Sequence, residues 1–411
     1  EHAVAALDHL PRDQHTIALG IEARLKLRVV LAPLADVPRM MRYLDEAGAL
    51  AQQAGDQLML ARVNISRGAM LAHMGDIRGA LSVSRMALDT MLAADDSVGV
   101  VGAAFALSQA MWYAGEFAAG AAVLEENLPH VRNERRLQGT MITTGTASAI
   151  YLCSLSSIHV RTGNLAAAAE AAREARAIAE ATRRPFDLLA VAIYEGPLYL
   201  ELGNIDAAID VLETAMDIAR TSDILVHIPF IARSLGRAYT RAGRLDEAET
   251  LLDSASDYAT RHGLGGMRLL CGPPLALLRV QRDDPRALAT CQATLEAARA
   301  TGMRAVEAQA LGTLGLYHAR QPRPEASGGE SEAETWLRRS VALADQLGMR
   351  PTALAVRTAL ADHLRNTGRL PEAAPLDDEC AALRAAMGYD GSVSYPMPPP
   401  RSAPRDAVGS A

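Results

Sequence analysis

The chain has 411 residues with a formal net charge of −7, and 49% of its residues are hydrophobic while only 4% are aromatic. Ala, Leu, Val and Ile therefore dominate the apolar content, which favours closely packed helices over a β-sandwich. The mildly acidic balance provides no broad basic surface for duplex binding, so we expect no nucleic-acid partner.

The first segment, residues 1–17, is interpreted as a lead-in from an upstream domain because the sequence begins at Glu1 rather than Met. It lacks the charged, apolar and small-residue sections of a signal peptide, and no run of about 18 uninterrupted apolar residues occurs along the chain. We therefore expect a cytoplasmic protein without a membrane partner.

From residue 18 to residue 388 the sequence repeats with steps of about 40 residues. A glycine followed by a polar and an apolar residue marks the steps at Gly75, Gly115, Gly163, Gly203, Gly243 and Gly368, with weaker versions near Ala35, Asp283 and Pro322. A period this regular is typical of a solenoid. The pattern predicts an all-α fold of about nine antiparallel helix pairs.

Each period predicts two helices joined by a tight turn. The glycine can take the left-handed conformation that ends the first helix, and the polar residue after it can cap the second. These capping residues are Asp76, Glu116, Asn164 and Asn204. A small residue five positions after the glycine lets the helices approach closely, at Ala80, Gly120, Ala168, Ala208, Ala248 and Ala373. The second helix then carries apolar residues three and four apart.

Four segments depart from the repeat pattern. Two periods are longer than the others, with the surplus at residues 129–146 and 321–334, and the second surplus is a predicted solvated loop. The glycine-rich run at 263–266, followed by Pro273 and Pro274, predicts a bend or a shortened helix between residues 262 and 276. Residues 389–411 are Pro-rich and aperiodic, which predicts a disordered tail.

Two successive periods carry the pattern Gly-x-x-Tyr, then Gly, then Ala. The residues are Leu235, Gly236, Tyr239, Gly243 and Ala248 in one period and Gly196, Tyr199, Gly203 and Ala208 in the period before it. These positions resemble the signature of the tetratricopeptide (TPR) repeat, although steps of about 40 residues exceed its usual length of about 34. The resemblance implies a right-handed superhelix whose first helices line a concave surface that binds a protein or peptide ligand.

Two longer segments carry a more specific resemblance. They read IEARLKLRVVLAPLAD at residues 21–36 and RRPFDLLAVAIYEGPLYLELGNIDAAIDVLETAMDIARTSDI at residues 183–224. Both are similar to the C-terminal TPR segments of bacterial multidomain adenylate or guanylate cyclases, in which a class III cyclase domain precedes an AAA-type or STAND ATPase. This resemblance implies a regulatory domain for signal transduction whose partners are the upstream ATPase and cyclase domains. Similar arrays follow the ATPase of large LuxR-type transcription regulators, and a free-standing TPR scaffold is a third interpretation.

The residues show no recognisable catalytic or cofactor constellation. The chain's one lysine, Lys26, follows Leu25, so the Gly-Lys-Ser/Thr of a P-loop does not occur. The four cysteines lack the C-x-x-C spacing of a zinc or redox site and are expected in the core. Met70, His73 and Met74 lie within one helical turn, but no third copper ligand is evident. We expect a non-catalytic segment without a metal or cofactor.

The first candidate binding surface is a row of arginines. Arg233, Arg237 and Arg241 are four residues apart and share one face of a predicted first helix. Guanidinium groups suit carboxylate and phosphate recognition, so we interpret this row as an anion-binding strip on the concave surface. The alternative is a solvated helix face balanced by Asp246 and Glu247.

The second candidate is a set of residues on the first helix of another period. They are Phe105, Gln109, Trp112 and Tyr113, and they are interpreted as a hydrophobic notch for a partner side chain. The alternative is that Trp112 packs in the core. Together the two candidates predict recognition of a peptide, a protein or a small effector. A purely structural role would instead use the terminal helices, near residues 17–31 and 373–387, for end-to-end association.

Overall fold

A computed structural model describes residues 2–11, 13–31, 35–133, 145–321 and 331–389 of the chain. Every regular element within these ranges is helical. The α-helices are α1 (His2–Asp8), α2 (Gln14–Leu31), α3 (Val37–Gln53), α4 (Gln57–Met74), α5 (Ile77–Ala93), α6 (Ser97–Ala114), α7 (Phe117–Asn133), α8 (Ala147–Thr162), α9 (Leu165–Thr182), α10 (Pro185–Glu201), α11 (Ile205–Thr221), α12 (Ile228–Arg241), α13 (Leu245–Arg261), α14 (Gly265–Gln281), α15 (Ala287–Thr301), α16 (Arg304–Ala319), α17 (Glu332–Gln346), α18 (Arg350–Asn366) and α19 (Leu370–Met387). A single turn of 3-10 helix, Leu225–His227, precedes α12. The predicted all-α class is confirmed.

The helices from α2 to α19 form nine pairs, and consecutive helices pack against each other along the whole stack. The predicted number of pairs is therefore confirmed. The start of the stack differs from the prediction, because α2 begins at Gln14 and α1 lies within the segment 1–17 that we interpreted as a lead-in. Arg24 of α2 ties α1 to the stack, since its Nη2 donates to Asp8 Oδ1 at 2.8 Å.

The departures from the repeat pattern are described only in part. α7 continues to Asn133, and the remainder of the first surplus, residues 134–144, lies outside the described residues. So do residues 322–330 of the second surplus and residues 390–411 of the predicted tail. Tyr389, which we assigned to the tail, is described and donates a hydrogen bond to Glu201 at 3.0 Å. The structured part of the chain thus extends at least to this residue.

Six of the pairs turn at the predicted glycines, whereas the α2/α3 and α14/α15 turns have Ala35 and Asp283 at positive φ. Gly75, Gly115 and Gly163 end α4, α6 and α8 with φ values of 97°, 85° and 72°. A side chain at such φ values is strained, which explains why glycine recurs at this position. Asp76 caps α5 as predicted, because its carboxylate accepts from the Gly79 N–H at 2.9 Å.

The other predicted capping residues behave differently. Asn164 and Asn204 occupy the cap positions of α9 and α11, but their side chains accept no capping hydrogen bond. Their backbone angles nearly equal those of Asp76. The difference therefore lies in the side chain, since a charged carboxylate accepts an N–H bond more strongly than an amide does. No cap is described at Glu116.

Small residues allow the two helices of a pair to pack closely, as predicted. A Cβ on Gly236 would lie 2.7 Å from Leu252 Cγ, and Gly196 of α10 meets Leu212 of α11 in the same way. Ala208 and Ala248 are fully buried at the positions five residues after a glycine. The TPR-like spacing of small residues is thus a consequence of close helix packing.

The stack of pairs winds into a superhelix whose successive turns touch. α4 contacts α14, α6 contacts α16 and α8 contacts α18, so each contact joins helices that are ten helices, or five pairs, apart. Five contacts, one repeat apart, join the two turns: His262 with the Ala35 carbonyl, Gly75 with Gly266, Gly115 with Ala305, Gly163 with Arg350, and Glu201 with Tyr389. The concave groove of the solenoid is therefore closed into an interior space.

The predicted shortening near residues 262–276 is wrong. α14 runs for 17 residues and continues through Pro273 and Pro274. Gly265 and Gly266, the first two residues of α14, serve packing rather than helix breaking, because they lie against the backbone of α4, too close for a side chain. Gly263, with a φ of 68°, follows the end of α13. The two prolines face the interior space, where the helix tolerates the loss of two backbone hydrogen bonds.

The core agrees with the composition. Cys153, Cys271, Cys291 and Cys380 are buried and unpaired, as predicted for core residues. Among the described helices, α6 is the one whose length and apolar composition would allow it to cross a membrane, and 78% of that stretch is buried inside the fold. Burial of this kind is typical of a core helix of a repeat stack.

Candidate functional site

A central cavity of about 350 Å³ lies inside the superhelix. Its lining residues come from α6, α8, α10, α12, α14, α16 and α18, which are the first helices of seven consecutive pairs, and Leu337 of α17 completes the wall. Each first helix is placed on the inner side by stacking on its neighbours. Because the two turns touch, residues far apart in the sequence share one enclosed space.

Much of the cavity wall is apolar and stiff. Pro197, Pro273, Pro274 and Pro351 line it, and each fixes its own backbone φ angle. Phe230 adds an aromatic surface. A mainly apolar wall with a few polar groups is typical of ligand pockets, and 350 Å³ lies at the small end of their range of about 300–1,000 Å³.

Six of the seven predicted site residues line this cavity: Gln109, Trp112, Tyr113, Arg233, Arg237 and Arg241. The structure therefore brings together two groups that the sequence placed on different repeats. Phe105, the seventh residue, is only 8% exposed, belongs to the hydrophobic core and does not line the cavity. Ligand binding by the other six stays a prediction.

Two of the predicted arginines already have partners in the protein. Arg237 Nη2 donates to Glu201 Oε1 at 2.9 Å, and Arg241 Nη1 donates to the Leu200 carbonyl at 2.6 Å. Burial alone would raise the pKa of Glu201, but the charges of Arg237 and Arg241 outweigh burial and hold this pKa below its usual value. Glu201 is therefore a carboxylate, and it neutralises part of the arginine row.

The alternative interpretation of the arginine row, a solvated face balanced by Asp246 and Glu247, holds only in part, because Arg241 is exposed whereas Arg233 is buried. Arg233 is only 9% exposed. Asp246 pairs with Arg282 at 2.6 Å, and Glu247 pairs with Arg244, so neither carboxylate faces the row. The row points inward because α12 is the first helix of its pair.

Sequence analysis missed Arg161, which also lines the cavity. Its guanidinium carbon lies 5.1 Å from the centre of the Trp112 ring, and that of Arg233 lies 5.4 Å from the same centre. Within the described ranges neither arginine makes a hydrogen bond or an ion pair, and the Nε atom of each is buried. Burial lowers the pKa of Arg233 to about 10 and that of Arg161 well below its usual value, and neighbouring arginine charges act in the same direction.

The sequence does contain a signal for Arg161. This residue stands two positions before the glycine that ends its turn, and Tyr113, Glu201 and Arg241 stand at the same position in neighbouring repeats. All four side chains line the cavity. Equivalent positions of stacked repeats face the same side, so comparing repeats identifies the lining better than following one helix does.

An aromatic cluster lies beside the arginines. The ring centre of Phe230 is 6.1 Å from that of His73, 6.2 Å from that of Tyr113 and 6.5 Å from that of His227. Burial, with smaller contributions from the charges of His227 and Arg28, lowers the pKa of His73 to about 3, and burial lowers the pKa of His227 to about 4. Both imidazoles are therefore neutral at pH 7, and the environment of His73 is aromatic packing.

These histidines predict that the protein loses stability in mild acid. The unfolded chain protonates both imidazoles near pH 6.5, whereas the folded chain does so only near pH 3 to 4. The unfolded state therefore binds more protons below about pH 6.5, and the free energy of unfolding falls as the pH is lowered from 6.5 to 5. Because both side chains are half-buried, we expect a slope of about 1 kcal/mol per pH unit for each histidine.

Urea denaturation between pH 5 and pH 6.5 measures this slope. A double variant, His73→Phe with His227→Phe, keeps the ring contacts and is expected to flatten it, whereas His9→Gln, on an exposed residue of the N-terminal segment, leaves it unchanged. An unchanged slope in the double variant would show that carboxylates dominate the pH dependence.

The described residues contain no group of three or more His, Cys, Asp or Glu side chains arranged to hold a metal ion. The charged side chains that line the cavity are four arginines and one glutamate, which leaves an excess of three positive charges. The described lining of the cavity is therefore electropositive and rich in hydrogen-bond donors.

Comparisons with known proteins agree with the fold. A tetratricopeptide repeat family profile matches residues 196–222. Among curated proteins, none has a matching sequence. The fold is similar to that of a Rap protein complexed with competence and sporulation factor, with a TM-score of 0.63 and 12% identity over 90% of this chain and 98% of that chain.

Two further solved structures are similar. One is the Rap conjugation gene regulator of the plasmid pLS20 in complex with the Phr* peptide, with a TM-score of 0.56 and 12% identity over 90% of this chain and 97% of that chain. The other is the apo form of the quorum sensor NprR from B. thuringiensis, with a TM-score of 0.50 and 13% identity over 88% and 98% of the two chains. The chain is a TPR-like superhelical solenoid.

Proposed function

We propose that this chain is a non-catalytic, cytoplasmic sensor module that binds a short peptide in its central cavity. The observation that carries the proposal is the convergence of seven first helices on one mainly apolar cavity, partly open to solvent, that also presents polar groups. A volume of about 350 Å³ suits a ligand of a few residues rather than a long chain. The Phr* peptide bound to a protein of similar fold supports the choice of a peptide.

Contact between the two turns offers a way for ligand binding to affect distant parts of the chain. Gln109 and Arg233 belong to one turn, and Gln309 and Thr352 belong to the next, yet all four line the cavity. A ligand that touches both turns is bound more tightly when the turns are together, so binding shifts the solenoid towards the closed form. Binding would then change the position of the two ends of the solenoid, and with them any domain attached there.

A finer proposal concerns the protein to which this module belongs. The segments at 21–36 and 183–224 support a regulatory domain of a bacterial adenylate or guanylate cyclase with an ATPase domain. The alternatives are a LuxR-type transcription regulator and a free-standing scaffold. Sequencing the coding DNA upstream of the Glu1 codon tests the proposal. A continuous frame with a P-loop and a class III cyclase is expected, whereas a frame with the ATPase alone would favour the transcription regulator.

Trp112 provides a direct test of peptide binding in the cavity. The chain has two tryptophans, and Trp336 does not line the central cavity, so Trp336→Phe leaves Trp112 as the only indole reporter. We expect a pool of random pentapeptides to change the Trp112 emission of this variant and to raise its melting temperature. Ligand binding stabilises the folded state by mass action, which explains the second effect.

A blocked cavity provides the matched control. Ala355 of α18 lines the cavity, so Ala355→Phe fills it without removing a hydrogen bond. Ala119→Phe makes the same change on an exposed residue of α7. We expect the first variant to abolish the response to peptides and the second to preserve it. An equal response in both variants, or no response in the unblocked protein, contradicts the proposal.

A further inference from the structure

Several hydrogen-bond donors in the cavity have no acceptor among the described residues. They are the Nε–H groups of Arg161 and Arg233, the indole N–H of Trp112 and the hydroxyl of Tyr113, and all of these atoms are buried. Arginine and tryptophan side chains can only donate. Because these atoms are buried, the donors that a ligand in the cavity can reach are the Nη groups of Arg161 and Arg233, which make no hydrogen bond within the described residues. A group bound there must therefore accept hydrogen bonds.

The charges of the lining residues also indicate which kind of ligand the cavity can bind. Glu201 is the one carboxylate that lines the cavity, and its oxygens already take bonds from Arg237 and Tyr389. Arg161 and Arg233 make no direct ion pair in the described part of the chain, although the Glu201 charge acts on Arg161 and both arginines lie beside the Trp112 ring. A neutral acceptor would satisfy their hydrogen bonds but not their charge.

An unpaired buried guanidinium destabilises a fold, because its water shell is lost without a replacement. The contact of each arginine with the Trp112 ring offsets only part of this loss, since a cation–π contact contributes about 0.5–2 kcal/mol. A chain that keeps two such arginines in one cavity is arranged for an anion rather than for its own stability.

We propose that the ligand presents a carboxylate beside Trp112, where the Nη groups of Arg161 and Arg233 bind it. This inference rests on the proposed function, since it names the group by which the cavity recognises its peptide. The residues proposed to bind the anion also differ from the arginine row expected from the sequence. Arg161 replaces Arg237 and Arg241, which Glu201 and the Leu200 carbonyl already engage.

Three pools of random pentapeptides test the inference with Trp112 emission in the Trp336→Phe protein. The first pool has free C-termini and no Asp or Glu, the second has amidated C-termini and no Asp or Glu, and the third has amidated C-termini with Asp or Glu at every position in turn. We expect the second pool, which carries no carboxylate, to bind at least about 10-fold more weakly than the best of the other two. Preference for the first pool identifies a terminal carboxylate, and preference for the third identifies a side chain.

Substitutions then separate recognition from structure. Arg233→Met and Arg161→Met keep most of the apolar side chain and remove the charge, so each is expected to weaken the preferred pool at least about 10-fold and to erase its advantage over the amidated, acid-free pool. The melting temperature of each free variant is expected to stay the same or to rise. Arg85→Met, on an exposed residue of α5, is the matched control and should change neither property.

The possible failures are distinguishable. If the acid-free amide pool binds the unsubstituted protein as well as the others and Ala355→Phe abolishes that binding, the carboxylate inference is overturned while the proposed function stands. If no pool binds, or if binding survives Ala355→Phe, the proposed function itself fails. A lower melting temperature in Arg233→Met with an unchanged preference would assign Arg233 to the fold and overturn the inference.

Discussion

Replacing Gly266 by alanine is expected to lower the free energy of unfolding by about 2–3 kcal/mol and to separate the two turns of the superhelix. A Cβ on Gly266 would overlap the Ala72 carbonyl oxygen and lie 3.0 Å from that of His73. Both obstacles are backbone atoms of α4, so no rotamer change relieves them. Alanine normally gains about 1 kcal/mol over glycine inside a helix, which offsets only part of the strain. Urea denaturation measures the loss, and small-angle X-ray scattering measures the larger radius of gyration.

Gly20→Ala is the matched control for this experiment. Gly20 is also helical, and a Cβ there would make ordinary contacts at 3.5 Å with Arg24 and Leu50. We expect this variant to be as stable as the parent or slightly more stable, with an unchanged radius of gyration. If Gly266→Ala behaves like Gly20→Ala, the two turns are not in direct contact.

Replacing Asp187 by alanine is expected to cost about 3–5 kcal/mol of stability. The carboxylate is fully buried and accepts three hydrogen bonds: from the Thr146 N–H and hydroxyl, each at 2.6 Å, and from the Thr182 hydroxyl at 2.8 Å. These bonds hold the start of α8 and the end of α9 against the start of α10. Alanine would leave both Thr146 donors buried without an acceptor, whereas the Thr182 hydroxyl still has the Ala179 carbonyl at 3.2 Å. Thermal and urea denaturation followed by circular dichroism measure the loss.

Asp206→Ala separates this effect from the loss of a charge near a helix N-terminus. Asp206 stands in the first turn of α11, as Asp187 does in α10, but its side chain is exposed. The expected cost at Asp206 is below about 1 kcal/mol, the usual size of a helix-dipole contribution. Similar losses in the two variants would mean that the buried hydrogen bonds contribute little.

The fold could be predicted because short sequence patterns within each repeat indicate where its helices end and how closely they pack. A glycine such as Gly163 ends a helix, a small residue such as Ala168 lies five positions later, and the same order returns about 40 residues further along. The prediction of the helices was wrong where one residue type can have two different structural roles. The glycines at 265 and 266 look like helix breakers in the sequence, but in the structure they allow two helices to touch.

The cavity could be predicted only in part. Arg233 and Trp112 were identified because unusual side chains share a helix face, and the structure places both in the lining. Phe105 satisfies the same criterion but lies one turn before Gln109, nearer the N-terminus of α6, where its side chain packs in the core. Arg161 was missed because its position is informative only when the repeats are compared with one another.

The partners of the lining residues depend on long-range geometry that no local pattern contains. The hydrogen bond between Tyr389 and Glu201 joins residues 188 positions apart. It forms because five pairs complete a superhelical turn, a number set by the packing angle between repeats. The sequence therefore indicates which arginines face inward, but not which of them find a carboxylate there.

Contact between successive turns also restricts how this chain can evolve. In an open solenoid, each repeat touches only its neighbours, so whole repeats can be added or lost at an end. Here the loss of one middle repeat would shift every later repeat by one step, and the backbone glycine at 266 would no longer face the end of α4. Length can change safely only between helices, which is where the two long periods carry their extra residues. We therefore expect the number of repeats to stay constant among related chains, whereas the length of the loops between helices can vary.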